Sequence, residues 1–195
     1  MVTGTDMLYL GVDQSLQRPG LALVSAEGVV VHTAVTKVGE KLRGGQRLAA
    51  IHAFLRDEVR RHTATIAHAA VEGPSLKSVH REFDLGEASG VVRFAIYHFW
   101  AVEPLVVAPA QLKLFATGVA SADKDEVLNA VNRTWGTTLT DDNEADAVVL
   151  AQIARAAHLR VRCATRKQQE VVARLLGAAS IPPRRRPRRK SSINI

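Results

Sequence analysis

Cysteine is all but missing: Cys163 is the single one. That excludes an internal disulfide and any thiolate-based zinc site. No apolar run approaches the roughly 18 residues a bilayer-spanning helix needs, so no membrane-crossing segment is expected. The apolar stretch Met7–Val12 is cut by Asp13, too short for a signal peptide. A reducing cytoplasm is the expected setting. There is no internal repeat and no glycine-rich phosphate loop. The histidines, His32, His52, His62, His68, His80, His98 and His158, are scattered without metal-ligand spacing. His80, nearest to the loop that follows Glu72, is the one DNA-contact candidate among them.

What is present suits one globular domain. The chain has 195 residues, 47% of them hydrophobic and 23% charged, enough apolar content for a real core. Charge is unevenly placed. Residues 147–195 hold twelve basic residues and one acid, Glu170, a net +11; residues 1–146 hold 14 basic and 18 acidic ones, a net −4. A mildly acidic body with a basic C-terminal third points to a polyanionic partner met from one side, nucleic acid above all.

The apolar patterning predicts a mixed α/β domain. Met7–Asp13 reads as a buried strand, Gln14–Gly20 as a turn, and Leu21–Ser25 and Val29–Val35 as two further strands joined through Ala26-Glu27-Gly28. Gly44 and Gly45 open a helix with Leu48, Ile51, Leu55 and Val59 on one face. Ile66–Val71, ending at Glu72, is a fourth strand parallel to the first, and Leu105–Val107 a fifth. Helices are expected over His80–Trp100, from an N-cap at Ser121 to Gly136, over Asp142–Leu159, and around Gln168–Leu176. Gly86 and Gly90, four apart inside a helix, each cost about 1 kcal/mol against alanine, so that face is expected to meet a backbone closely. Trp100, Trp135, Phe99 and Tyr97 sit among aliphatics at helical spacing and read as core or dimer-contact residues. Residues 1–178 form the domain; residues 179–195, with Pro182, Pro183 and Pro187 among arginines, form a solvated basic tail.

Three acids stand at the ends of apolar elements: Asp13 and Glu72 each close a strand, and Asp146 lies in the first turns of an apolar helix. Buried carboxylates require partners. Taken singly, each is explained as a turn, cap or dipole residue; if they converge, their repulsion calls for a cation. An all-oxygen ligand set favours Mg²⁺ or Mn²⁺ over zinc. Asn143 and Asp142, three and four residues before Asp146, share its helix face, and either can be a further ligand or a supporting partner. Asp141 or Asp142 can equally be the helix N-cap.

Several segments, in order, resemble RuvC-type Holliday junction resolvases: Leu10-Gly11-Val12-Asp13 with Gly20-Leu21-Ala22-Leu23-Val24, Ala70-Val71-Glu72, Leu85-Gly86-Glu87-Ala88-Ser89-Gly90, Gly118 to Lys124, and Glu144-Ala145-Asp146-Ala147. The resemblance spans about residues 8–160, and Asn143 in the last motif is closer to phage-encoded members. It implies an RNase H-like fold: a mixed five-stranded sheet flanked by helices on both faces. It implies that Asp13, Glu72 and Asp146 hold two Mg²⁺ ions, with Mn²⁺ able to substitute, and that Lys113 and Lys124 hold the DNA backbone. Asn143 or Asp142 would be the fourth ligand. It further implies a homodimer seamed along the glycine-bearing helix, acting on branched DNA and leaving 5′-phosphate and 3′-hydroxyl ends. In the tail, Arg184, Arg185, Arg186, Arg188, Arg189 and Lys190 would add phosphate contacts. Two departures stand out: Asn143 replaces the usual carboxylate or histidine, and no aromatic follows Glu72 before Phe83, where some members carry a base-unstacking wedge. Other readings are a non-catalytic junction-binding protein, a nuclease acting on RNA or flaps, and an actin-like or sugar-kinase-like ATPase. The last requires a second domain copy and a phosphate loop that this chain lacks.

Overall fold

The computed structural model describes residues 7–62, 64–73 and 82–177. Five strands, β1 (Met7–Asp13), β2 (Gly20–Ser25), β3 (Val30–Val35), β4 (Thr65–Glu72) and β5 (Leu105–Val107), form one sheet in the order β3-β2-β1-β4-β5. The β1–β2 and β2–β3 pairs are antiparallel; β1–β4 and β4–β5 are parallel. Helices α1 (Gly44–Arg60) and α2 (Glu82–Trp100) cover one face, and α3 (Pro109–Thr117), α4 (Lys124–Trp135), α5 (Asp142–Leu159) and α6 (Arg166–Leu175) the other. The expected mixed five-stranded sheet with helices on both faces is the fold observed. No described helix is long and apolar enough to cross a membrane.

Two-residue periodicity sorts the strands between two cores. Leu8, Leu10 and Val12 of β1 join Leu21 and Leu23 of β2 beneath α1 and α2. Tyr9, Ala22, Val24 and Ala70 face the opposite way, under α5. Gly11 and Asp13 share the parity of Tyr9, and Glu72 that of Ala70, so both strand-end acids point to the α5 side.

Helix α5 is the axis of that layer. It buries eleven residues, six of them alanines, and a helix apolar nearly all round belongs in an interior. Its alanines let it lie close on the sheet. A β-carbon at Gly11 would stand 2.0 Å from the Ala147 carbonyl oxygen and 2.4 Å from the Ala151 nitrogen. One at Gly20 would stand 2.4 Å from the Asn143 carbonyl oxygen. Two glycines on neighbouring strands thus set the depth of α5, and with it the height of Asp146 above Asp13.

Two local expectations are corrected. Helix α4 is capped by Asp123, not Ser121: the Asp123 carboxylate accepts from the Glu126 amide at 2.8 Å, and the Glu126 carboxylate accepts from the Asp123 amide at 2.8 Å. This reciprocal box satisfies two otherwise orphan donors, which a serine two residues earlier does not do. Helix α3 was not foreseen. Pro109, two residues after β5, is a helix-initiating proline with its φ already set; Gly118 closes that helix at φ 82°. The expected start of α2 at His80 lies outside the described residues.

Candidate active site

Val12 pairs with Val71, so Asp13 and Glu72 follow side by side at the carboxyl ends of adjacent parallel strands, which run about 4.8 Å apart. The two strand ends are tied together: the Gln14 side-chain amide donates to the Glu72 carbonyl at 2.7 Å, and the Gly73 amide donates to the Val107 carbonyl at 2.7 Å. Asp146, in the second turn of α5, comes down beside them. Asp141 caps that helix, accepting from the Asn143 amide at 2.9 Å, and also accepts from the Arg18 guanidinium of the β1–β2 turn.

These elements enclose a cleft of about 370 Å³ lined by Asp13, Glu72, Asn143 and Asp146, by Lys113 of α3 and Lys124 of α4, and by Leu85 and Ser89 of α2. Gln14, Ser15, Leu16, Gln17 and Gly73 complete its wall. All three acids, Asn143 and both lysines singled out in the sequence therefore face one space. Asp142 is not among the lining residues; its carboxylate accepts from the Lys124 ammonium. Arg184, Arg185, Arg186, Arg188, Arg189 and Lys190, like His80, lie outside the described residues. Sequence reasoning passed over Gln14, Ser15, Gln17 and Ser89. Only Gln14, next to Asp13, carried a positional signal.

The electrostatics express crowding. Asp13 is only 6% exposed; burial first, then the charges of Glu72, Asp146 and Asp142, raise its carboxyl well above the ordinary range. Burial also raises Glu72, against a hydrogen bond from Asp13 and the charges of Lys113 and Lys124. Asp146 is raised to about 7 by burial and by the charges of Glu72 and Asp142, with the two lysines opposing. Asp142 behaves differently. Burial disfavours its charge, but the hydrogen bond and charge of Lys124 outweigh that and hold its carboxyl below the ordinary range.

Three buried carboxyls, with Asp13 raised by the charges of both others and Asp146 by that of Glu72, form a site suited to a multivalent cation. The donor set is carboxylate oxygen plus the Asn143 amide, with no histidine or cysteine in the lining; that chemistry fits Mg²⁺ or Mn²⁺. The donors ring the cleft and do not close a cage: among the described residues no three His, Cys, Asp or Glu side chains are gathered in ligand positions.

Comparison with known proteins bears on what such a cleft does. The family model "Crossover junction endodeoxyribonuclease RuvC" matches residues 9–155. A crossover junction endodeoxyribonuclease RuvC from Anaeromyxobacter sp. (strain Fw109-5) is 33% identical over 149 residues, covering 74% of this chain and 71% of its own. The RuvC of Brachyspira hyodysenteriae is 27% identical over 159 residues, covering 80% and 97%. Among solved structures, Thermus thermophilus RuvC superposes with a TM-score of 0.64 at 22% identity, covering 89% of this chain and 99% of that one. The T. thermophilus RuvC complex with a Holliday junction substrate matches with a TM-score of 0.64 at 21% identity, covering 89% and 98%.

Proposed function

The chain belongs to the RuvC family of crossover junction endodeoxyribonucleases, and on that premise we propose that it resolves Holliday junctions by divalent-metal-dependent hydrolysis in the cytoplasm. The observation that carries this reading is the single cleft into which β1, β4 and α5 deliver three carboxyls, all raised by burial, beside two lysines.

In this reading Asp13, Glu72 and Asp146, with Asn143 beside Asp146, would hold two Mg²⁺ ions, with Mn²⁺ able to substitute. Bound there, divalent ions supply the positive charge that activates a water and stabilises the departing 3′-oxygen. The chain's own groups do the rest. Lys113 and Lys124 hold backbone phosphates beside the three carboxyls, which adds affinity without sequence choice. Leu85 and Ser89 wall the cleft from α2. The Gln14 hydrogen bond keeps the two strand-end acids in register. The products carry a 5′-phosphate and a 3′-hydroxyl.

Cutting two strands symmetrically calls for two sites, and a two-fold dimer provides them. Helix α2 has a face for it. Phe83, Gly86, Gly90, Phe94 and Tyr97 recur at helical spacing, and the three aromatics are exposed, Phe83 by 77%. A β-carbon at Gly86 or Gly90 would meet nothing within 4 Å, so the bare backbone there is free for a second copy. The domain spans residues 1–178. The basic residues from Arg184 to Lys190 add salt-sensitive phosphate contacts, each steepening the log–log salt slope by about 0.9.

The test is Mg²⁺-dependent cleavage of a panel: four-way junction, replication fork, flap, linear duplex and single strand. Paired nicks placed symmetrically across the junction are expected. Cleavage of the linear duplex as fast as the junction, or no cleavage in Mg²⁺ or Mn²⁺, would overturn the reading.

A further inference from the structure

Asp142 and Asn143 are adjacent at the start of α5, so their side chains leave the helix about 100° apart. Both flank Asp146, and spacing alone does not tell which of them serves the cleft. The structure separates them. Asn143 lines the cleft with Asp13, Glu72 and Asp146. Asp142 turns toward the first residue of α4 and accepts a hydrogen bond from the Lys124 ammonium. Lys124 in turn lines the cleft. Its charge reaches Glu72 and Asp146, and Asp13 and Asp146 act back on it.

Building on the nuclease reading, we propose that Asp142 is a positioning residue, not a metal ligand: it anchors the Lys124 ammonium at the rim of the cleft, where Lys124 meets a backbone phosphate. Lys124 needs such an anchor. Its side chain is 75% exposed, and a free lysine samples many rotamers on its flexible four-carbon stem. An exposed ion pair adds little to fold stability, so the value of this one lies in where it leaves the ammonium. The arrangement also accounts for the neutral residue at 143. The extra acid of this motif sits one position earlier, paired with its own lysine outside the cleft lining, so the cleft itself holds three carboxylates.

The two roles separate in a set of variants: Asp142→Asn, Asp142→Glu, Lys124→Ala, Asp142→Asn with Lys124→Ala, and Asp146→Asn as the ligand control. Mn²⁺ binding to the DNA-free protein, followed by electron paramagnetic resonance, is expected to match wild type in Asp142→Asn and to weaken in Asp146→Asn. In ¹³C spectra of the reductively dimethylated protein, the Lys124 signal is expected to move in Asp142→Asn to the position of freely rotating lysines. Single-turnover junction cleavage is expected to fall in Asp142→Asn, by up to about a hundredfold for a group misplaced by about 1 Å, to recover in Asp142→Glu, and to fall no further when Lys124→Ala is already present. Mn²⁺ binding lost in Asp142→Asn as in Asp146→Asn, an unmoved Lys124 signal, or equal rate losses with and without Lys124 would each overturn the proposal. The first two measurements need no turnover. A wild-type protein that cut no DNA would sink the nuclease reading while they still decided the part Asp142 plays.

Discussion

Replacing Gly11 by alanine adds one methyl group to a buried strand, and the structure says what that methyl meets. The new carbon would lie 2.0 Å from the Ala147 carbonyl oxygen, 2.4 Å from the Ala151 nitrogen and 3.0 Å from the Leu150 β-carbon. Two of these are helix backbone, so no side chain can swing away; α5 has to lift from the sheet by more than an ångström. Overpacking of a dense core costs about 1–3 kcal/mol, and a displaced helix that buries eleven residues belongs at or above the top of that range. With room, the same substitution in a strand would gain roughly 0.5–1 kcal/mol, so the sign of the effect alone is informative. Function should suffer beyond stability, because Asp146 precedes Ala147 directly. Lifting α5 by about 1 Å separates Asp146 from Asp13, and a misplacement of that size costs on the order of a hundredfold in rate. Urea unfolding followed by circular dichroism, with single-turnover junction cleavage under conditions where the variant stays folded, measures both. A variant as stable as wild type that cuts at the wild-type rate would refute the close seating of α5 and its role in placing Asp146.

Gly86→Ala is expected to do the reverse in the monomer: α2 gains about 1 kcal/mol of helix propensity, since nothing lies within 4 Å of the added carbon. In sedimentation equilibrium the same variant should dissociate more readily; an unchanged dimer constant would move the seam off α2. The carboxyl cluster predicts a pH dependence. Unfolded, Asp146 ionises near pH 4, whereas folded it does so at about 7. Between those values the native state holds more protons, so this group's contribution to stability falls as pH rises, by roughly 4 kcal/mol across the window. In EDTA, the unfolding temperature of wild type minus that of Asp146→Asn should therefore drop from pH 4 to pH 8. Mg²⁺ should restore it at pH 8 but not at pH 5; a difference that rises with pH would contradict the crowding.

Much of this arrangement was legible in the residues because it is local. Strand alternation located Asp13 and Glu72, and the long apolar pattern of α5 located Asp142–Leu159. The three- and four-residue spacings to Asp146 identified both Asn143 and Asp142 as neighbours. What spacing does not contain is the direction in which each of them points; that is decided by Lys124, eighteen residues earlier in the chain. The same limit hid the role of Gly11 and Gly20. Their neighbours, Ala147 and Asn143, lie more than 120 residues away, and a glycine in a strand does not name what presses against it. Helix α3 was overlooked for a different reason. With only nine residues it offers two buried positions, Leu112 and Phe115, too few for a periodic signal, and its opening proline serves strand ends as well as helix starts.

If Asp13, Glu72 and Asp146 act together on one phosphodiester, Asp13→Asn and Glu72→Gln separate binding from cleavage on a four-way junction. Binding is measured in EDTA and single-turnover cleavage in Mg²⁺. Both variants are expected to bind the junction at least as tightly as wild type and to produce no detectable nicks; either variant cutting at the wild-type rate would show that the three carboxyls do not work as one site.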